Sequence, residues 1–137
     1  AVDMSAAVIV AQNGLSLVRA RVRHADLAGN SVSGRLSSSR LSVADRRYRP
    51  YDEATPYAFE VGMARVDDGD GATDEENDYR VAILVYRLFE QVDVNTDPVS
   101  SINVNWNNPQ NSTVTLTGAT GKNALIYCFT TRTSLRP

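Results

Sequence analysis

Tyr79-Arg80-Val81-Ala82-Ile83-Leu84-Val85-Tyr86-Arg87-Leu88-Phe89 is the stretch on which the fold turns. From Val81 to Tyr86 it is apolar at every position. A strand with one wet face alternates polar and apolar residues, whereas a strand without alternation needs cover on both faces. The stretch therefore predicts a central strand. Upstream, Phe59, Val61 and Met63 alternate with Glu60, Gly62 and Ala64, which predicts a second strand. Downstream, residues 101–106, 112–117 and 123–131 predict three more. Asn107-Asn108-Pro109-Gln110-Asn111 and Gly118-Ala119-Thr120-Gly121 supply the turns between them. Strands in succession with short turns imply antiparallel pairing.

Ahead of the strands the period changes. Met4, Val8, Ala11, Leu15, Val18, Val22 and Ala25 recur every three or four residues, the signature of an amphipathic helix. Asp3 is the expected N-cap, and Ala28-Gly29-Asn30 the stop. Arg19, Arg21 and Arg23 sit where cations suit the helix dipole. Ala6 to Ala11 are apolar around most of the circumference, so this start is either deeply packed or continuous with something hydrophobic upstream. Gly14 lowers helix propensity by about 1 kcal/mol relative to Ala. Residues 30–57 mix serines, arginines and tyrosines without period, with one short helix or strand expected at 40–46.

These pieces predict an α+β fold in a single domain: helix 1–27 packed on an antiparallel sheet 58–137, joined by a connection at 28–57. A length of 137 residues suits one domain with a core that needs no staples. The single cysteine, Cys128, rules out an internal disulfide, and its apolar run (124–129) makes it a small buried hydrophobe. No apolar stretch reaches 18 residues.

The net charge of −2 argues against a dedicated nucleic-acid binder, but its distribution is uneven. Residues 1–50 hold eight arginines against Asp3, Asp26 and Asp45, while residues 51–100 hold thirteen acids against Arg65, Arg80 and Arg87. Such asymmetry allows head-to-tail attraction between copies, although segregation along a sequence need not persist in space.

Candidate chemistry is sparse. Asp67-Asp68-Gly69-Asp70-Gly71-Ala72-Thr73-Asp74-Glu75-Glu76 is an acidic turn whose carboxylates repel unless solvated or neutralised. Hard cations want six to eight oxygens from a flexible loop. On an EF-hand-like frame Asp68 and Asp70 take the third and fifth positions, Gly71 the sixth, and Ala72 offers a carbonyl; Asp74 or Glu75 closes the sphere. Val66 at the first position and Asn77 at the twelfth depart from that frame, so a Ca²⁺ site here is a shortened variant, and a solvated acidic hairpin loop is the alternative. His24, the only histidine, reads as an exposed helical side chain, with a Cys128–His24 dyad a remote option. Phosphate-loop, His-Glu-x-x-His and paired-cysteine patterns are absent. Asn111-Ser112-Thr113 fits a glycosylation acceptor, a match that chance also supplies. Arg46, Arg47, Tyr48 and Tyr51, with Arg19 and Arg23, form an Arg/Tyr set of the kind found at interaction surfaces. Tyrosines that pack the connection on the sheet are a second reading, and weak single-stranded nucleic-acid binding is a third.

A helix ending in Ser16-Leu17-Val18-Arg19-Ala20-Arg21-Val22-Arg23-His24, a long connection, the acidic 67–76 loop and the strand from Asp78 to Arg87 together resemble the globular part of a minor type IV pilin or pseudopilin. The resemblance covers the chain as architecture, and the family's defining apolar N-terminal half is not among these residues. It implies a structural subunit of a type IV pilus or type II secretion pseudopilus, a fimbrial protein that is not an enzyme. Its partners would be other pilin or pseudopilin subunits, in roles such as adhesion or secretion. Its place would be the cell envelope or surface, the full-length form being held in the inner membrane before assembly. Calcium sites in some members would correspond to Asp68, Asp70, Ala72, Asp74 and Glu75. Two other readings stand beside it: a virion or phage-tail structural protein, and a carbohydrate- or ligand-binding module using Trp106 and the Asn-rich turn at 103–111.

Overall fold

The computed structural model describes residues 2–27, 56–66, 78–89, 97–118 and 123–136. The chain is α+β. Among the described residues, helix α1 (Val2–Arg21) is followed by a single turn, α2 (His24–Leu27), and five strands: β1 (Tyr57–Arg65), β2 (Asp78–Arg87), β3 (Val99–Asn103), β4 (Thr113–Leu116) and β5 (Leu125–Ser134). The strands form two sheets rather than the one expected. One is antiparallel in the order β1-β2-β5, and the other is the β3-β4 hairpin. β4 also bonds to the residues just ahead of β5, through a Thr115–Asn123 bridge and Ala124 N–H donating to Val114 O at 3.0 Å. Strand order is a long-range pairing choice, which local pattern does not encode.

β2 is central, as its unbroken apolar run requires, and the two faces of the sheet carry separate cores. Side chains alternate across a strand. Tyr57, Phe59, Val61 and Met63 of β1 with Tyr79, Val81, Ile83 and Val85 of β2 face one side, where α1 lies. Ala58, Ala82, Leu84, Tyr86, Leu88 and Cys128 face the other, where Val99, Val114 and Leu116 of the hairpin cover them. The result is three layers: helix, three-stranded sheet, hairpin. Each buried Val, Leu, Ile or Phe side chain contributes about 1.5–3 kcal/mol relative to exposure.

The helix sits on the sheet by a stripe that keeps Ala11, Val18 and Val22 of the expected one but is otherwise rotated from it. Ala7, Val10, Ala11, Gly14, Val18 and Val22 are buried, whereas Met4 is 42% exposed and Ala25 also faces outward. Val8 and Leu15 lie at the margin. The inner stripe is built from small residues, so the helix approaches closely. A Cβ added at Gly14 would stand 3.0 Å from Phe59 Cδ2 and 3.1 Å from Ile83 Cγ2, so the missing side chain makes room for the Phe59 ring.

Nor does the helix run unbroken to residue 27. It stops after Arg21 with neither Gly nor Pro nearby. Arg23 forms a parallel bridge to Arg136, and His24 N–H donates to Arg136 O at 2.7 Å. Arg136 Nη2 in turn donates to Ala20 O at 2.6 Å, satisfying one of the carbonyls that a helix end leaves open. The C-terminal segment thus captures backbone that would otherwise continue the helix. The stop signal at 28–30, the 28–55 part of the connection and the element expected at 40–46 lie outside the described residues, as does the Asp3 side chain.

Candidate functional site

A recess of the described surface lies on the hairpin side of the sheet, near the Arg65 end of β1. Its lining is Val66, Arg80, Trp106, Thr130, Thr131 and Arg132, and its volume is about 310 Å³. Trp106 is placed by the turn between β3 and β4. Asn105 Oδ1 accepts from the N–H groups of Asn107 at 3.1 Å and Asn108 at 2.9 Å, and Ser112 Oγ accepts from Asn105 N–H at 2.9 Å. These side-chain-to-backbone bonds favour a turn over a continued strand. A short 3-10 turn, Pro109–Asn111, completes the corner. Trp106 is left half-buried against the hairpin-side core, with part of its ring in the recess.

The strand register supplies the cations. Arg80 lies directly opposite Arg132 across β2 and β5, so both project from the same face. Like charges directly opposite are unfavourable, and the structure manages each in its own way. The Arg80 guanidinium carbon lies 4.5 Å from the centroid of the Trp106 ring, and its Nη2 donates to Trp106 O at 3.3 Å. A cation over an indole at an exposed site is worth about 0.5–1 kcal/mol. Arg132 Nη2 donates to Asp78 Oδ2 at 3.1 Å. Ser134 Oγ donates to the other oxygen of the same carboxylate. These bonds, Ser134 first and then Arg132, hold the Asp78 carboxyl below the usual carboxylate range. Among the described residues no carboxylate pairs with Arg80.

A second polar cluster lies on the helix side. His24, expected to be exposed, is half-buried, and its Nδ1 is 2.8 Å from the hydroxyl of the fully buried Tyr79. Arg65 Nη2 donates to that hydroxyl at 3.3 Å and to Leu27 O at 3.0 Å. A hydroxyl that accepts from Arg65 has its own proton to give, so Tyr79 can donate to His24 Nδ1. The arrangement pins α2 to the sheet. The helix periodicity set His24 facing solvent because it did not foresee the break at residues 22–23.

Of the other sequence candidates, Asp68, Asp70, Ala72, Asp74 and Glu75 of the acidic turn, and Arg46, Arg47, Tyr48 and Tyr51 of the connection, lie outside the described residues. Arg19 is exposed, and its Nε donates to Thr133 Oγ1 at 3.2 Å, which ties it to its own sheet. Arg23 is exposed at the helix break. Cys128 is buried, as expected. Burial pushes its thiol up, a hydrogen bond with Ser112 opposes this, and its N–H donates to Gln110 Oε1 at 2.9 Å. It faces the hairpin while His24 contacts the helix side, so the sheet separates the two members of the suggested dyad. Glu60, read as the polar half of an alternating strand, is buried opposite Leu84. Alternation implies a wet face only where nothing covers it, and Glu60 is covered, at 1% exposure. Among the described residues, no group of three His, Cys, Asp or Glu side chains is placed to share a metal ion. No described helix is long and apolar enough to cross a membrane.

Arg80, Arg132 and Asp78 drew no notice as site residues in the sequence. The spacing between Arg80 and Arg132 has no local meaning, and only the pairing of β2 with β5 brings them together. No protein-family model matches the chain, and neither the characterised proteins nor the solved structures provide a significant match.

Proposed function

We propose that this chain is a structural subunit of a type IV pilus or type II secretion pseudopilus, a minor pilin or pseudopilin that acts by assembly at the cell envelope. One observation carries the reading. The first turns of α1 carry large apolar side chains on both sides, and among the described residues only the sheet side is buried. Ala7, Val10 and Ala11 are buried against the sheet, while Met4 is 42% and Ile9 is 53% exposed on the rest of the circumference. A helix that is hydrophobic all round normally has neighbours on all sides. An outer apolar face next to an already seated inner one suits a helix that packs against other subunits. The α+β layering, with the helix on an antiparallel sheet, agrees with the resemblance of residues 16–24 and 78–87 to that family.

The test is in cells expressing the complete gene. Ile9→Cys should give cross-linked species at multiples of the subunit mass, and Ile9→Asp should abolish incorporation while leaving thermal stability within about 0.5 kcal/mol, as for surface substitutions elsewhere. The coding sequence immediately ahead of Ala1 should specify a prepilin leader and a Glu-containing apolar stretch. The isolated 137-residue chain should be monomeric or weakly associated. Normal assembly of Ile9→Asp, or a tight large oligomer of the isolated chain, overturns the assignment.

A further inference from the structure

We propose that Arg136 is a removable wedge in the first helix, so that residues 20–24 switch between the broken form of this structure and a continuous helix in which His24 leaves Tyr79. The backbone bonds point to it. In an unbroken α-helix each N–H donates to the carbonyl four residues back, so the His24 N–H belongs to Ala20 O. Arg136 has taken both halves of that one bond. Its carbonyl accepts from His24 N–H at 2.7 Å, and its Nη2 donates to Ala20 O at 2.6 Å. The turn just before is intact, with Val22 N–H donating to Val18 O at 2.9 Å. Withdrawal of Arg136 therefore leaves a donor and an acceptor that are partners in the continuous helix, and their pairing satisfies both.

Local sequence favours the continuous form. Residues 20–25 include neither glycine nor proline, and Ala and Arg are among the strongest helix formers. Tertiary contacts oppose it. Leu135, 2% exposed, seats the strap of residues 135–136 in the helix-side core, and Ser134 just ahead of it is tied to Asp78. The two forms exclude each other at His24. Val22 is fully buried against the sheet. Two more residues of regular helix turn the chain by about 200°, which aims His24 away from the sheet. His24 Nδ1 then loses its 2.8 Å contact with the Tyr79 hydroxyl, and Leu27 O leaves Arg65 Nη2, its donor at 3.0 Å. Ala25, exposed in the broken form, joins Val18 and Val22 on the inner stripe. Two discrete packings of one element, each with its own bonds, make a switch. Whatever draws out residues 135–136 also releases His24 from the sheet. The switch needs nothing from the assembly reading, because it lies at the opposite end of α1 from Met4 and Ile9.

Because α2 is already helical, the change falls on Val22 and Arg23 and is read residue by residue, by NMR of the full chain. The unaltered chain should give non-helical Cα shifts at both. Leu135→Asp drives the strap out of the core and should turn both helical, while the His24 ring takes the shifts of an imidazole in solvent. Arg23→Cys with Arg136→Cys supplies a lock. Bridge partners stand at a spacing that a disulfide spans, and Cys128 is buried on the other face of the sheet. Oxidised, this double variant should keep Val22 non-helical and His24 on Tyr79, even with Leu135→Asp added. Reduction, which frees a chain that lacks the Arg136 guanidinium, should move Val22 towards helical shifts and His24 towards solvent. Should Leu135→Asp fail to fold, the oxidised and reduced double variant decides alone. A non-helical Val22 in a folded Leu135→Asp chain, a helical Val22 with His24 still on Tyr79, or identical shifts at Val22 and His24 in the oxidised and reduced chains overturns the proposal.

Discussion

Gly14→Ala sets two known effects against each other at one atom. In an exposed helix the substitution stabilises by about 1 kcal/mol, because glycine gives up more backbone freedom on folding. At this site the new methyl would stand 3.0 Å from Phe59 Cδ2, 3.1 Å from Ile83 Cγ2 and 3.1 Å from Phe59 Cε2. Both neighbours are buried in the middle of the sheet, so neither has free space to retreat into. Added methyls in packed cores cost about 1–3 kcal/mol. The second effect outweighs the first, and Gly14→Ala should destabilise by about 1 kcal/mol net. Urea unfolding measures it as a lower midpoint at unchanged slope. Ser16→Ala, on the exposed side of the same helix, is the control and should stabilise by a few tenths of a kcal/mol. A double variant with Phe59→Leu gives the ring room to yield, so its cost should fall short of the sum of the two single changes. If Gly14→Ala stabilises as much as helix propensity alone allows, α1 does not rest on Phe59 and the close approach is wrong.

Three further outcomes follow from other contacts. Tyr79→Phe removes the hydroxyl shared by His24 and Arg65 and should cost about 1–3 kcal/mol by the same unfolding assay, since it leaves buried polar groups without that partner. Asp78, with its folded pKa held below the unfolded value, stabilises the fold above pH ~4, and that contribution is lost as pH falls through the folded pKa. Asp78→Asn should therefore flatten the acid limb of the stability–pH profile without altering its neutral plateau's dependence on pH; an unchanged acid limb refutes the role. Cys128, buried and with its thiol pushed up, should react slowly with thiol reagents at neutral pH in the native state and rapidly in denaturant. Equal rates in the two states would show that the hairpin does not cover it.

Composition and period by themselves determined that a helix precedes strands and that β2 lies between two cores, because an apolar run from Val81 to Tyr86 leaves no face for water. They also determined the burial of Cys128. Both are consequences of local hydrophobicity, which a linear pattern records. Tertiary structure decided the rest. The inner stripe of α1 was legible at Ala11, Val18 and Val22 but not at Ala7, Val10 and Gly14, because the start is apolar over most of its circumference and the worth of Gly14 appears only against Phe59. The break before His24 comes from Arg136, more than a hundred residues away in sequence. The Trp106 recess needed the pairing of Arg80 with Arg132 and the Asx-type turn at Asn105. Strand register is set by long-range packing, so the side chains it brings together leave no trace in sequence spacing.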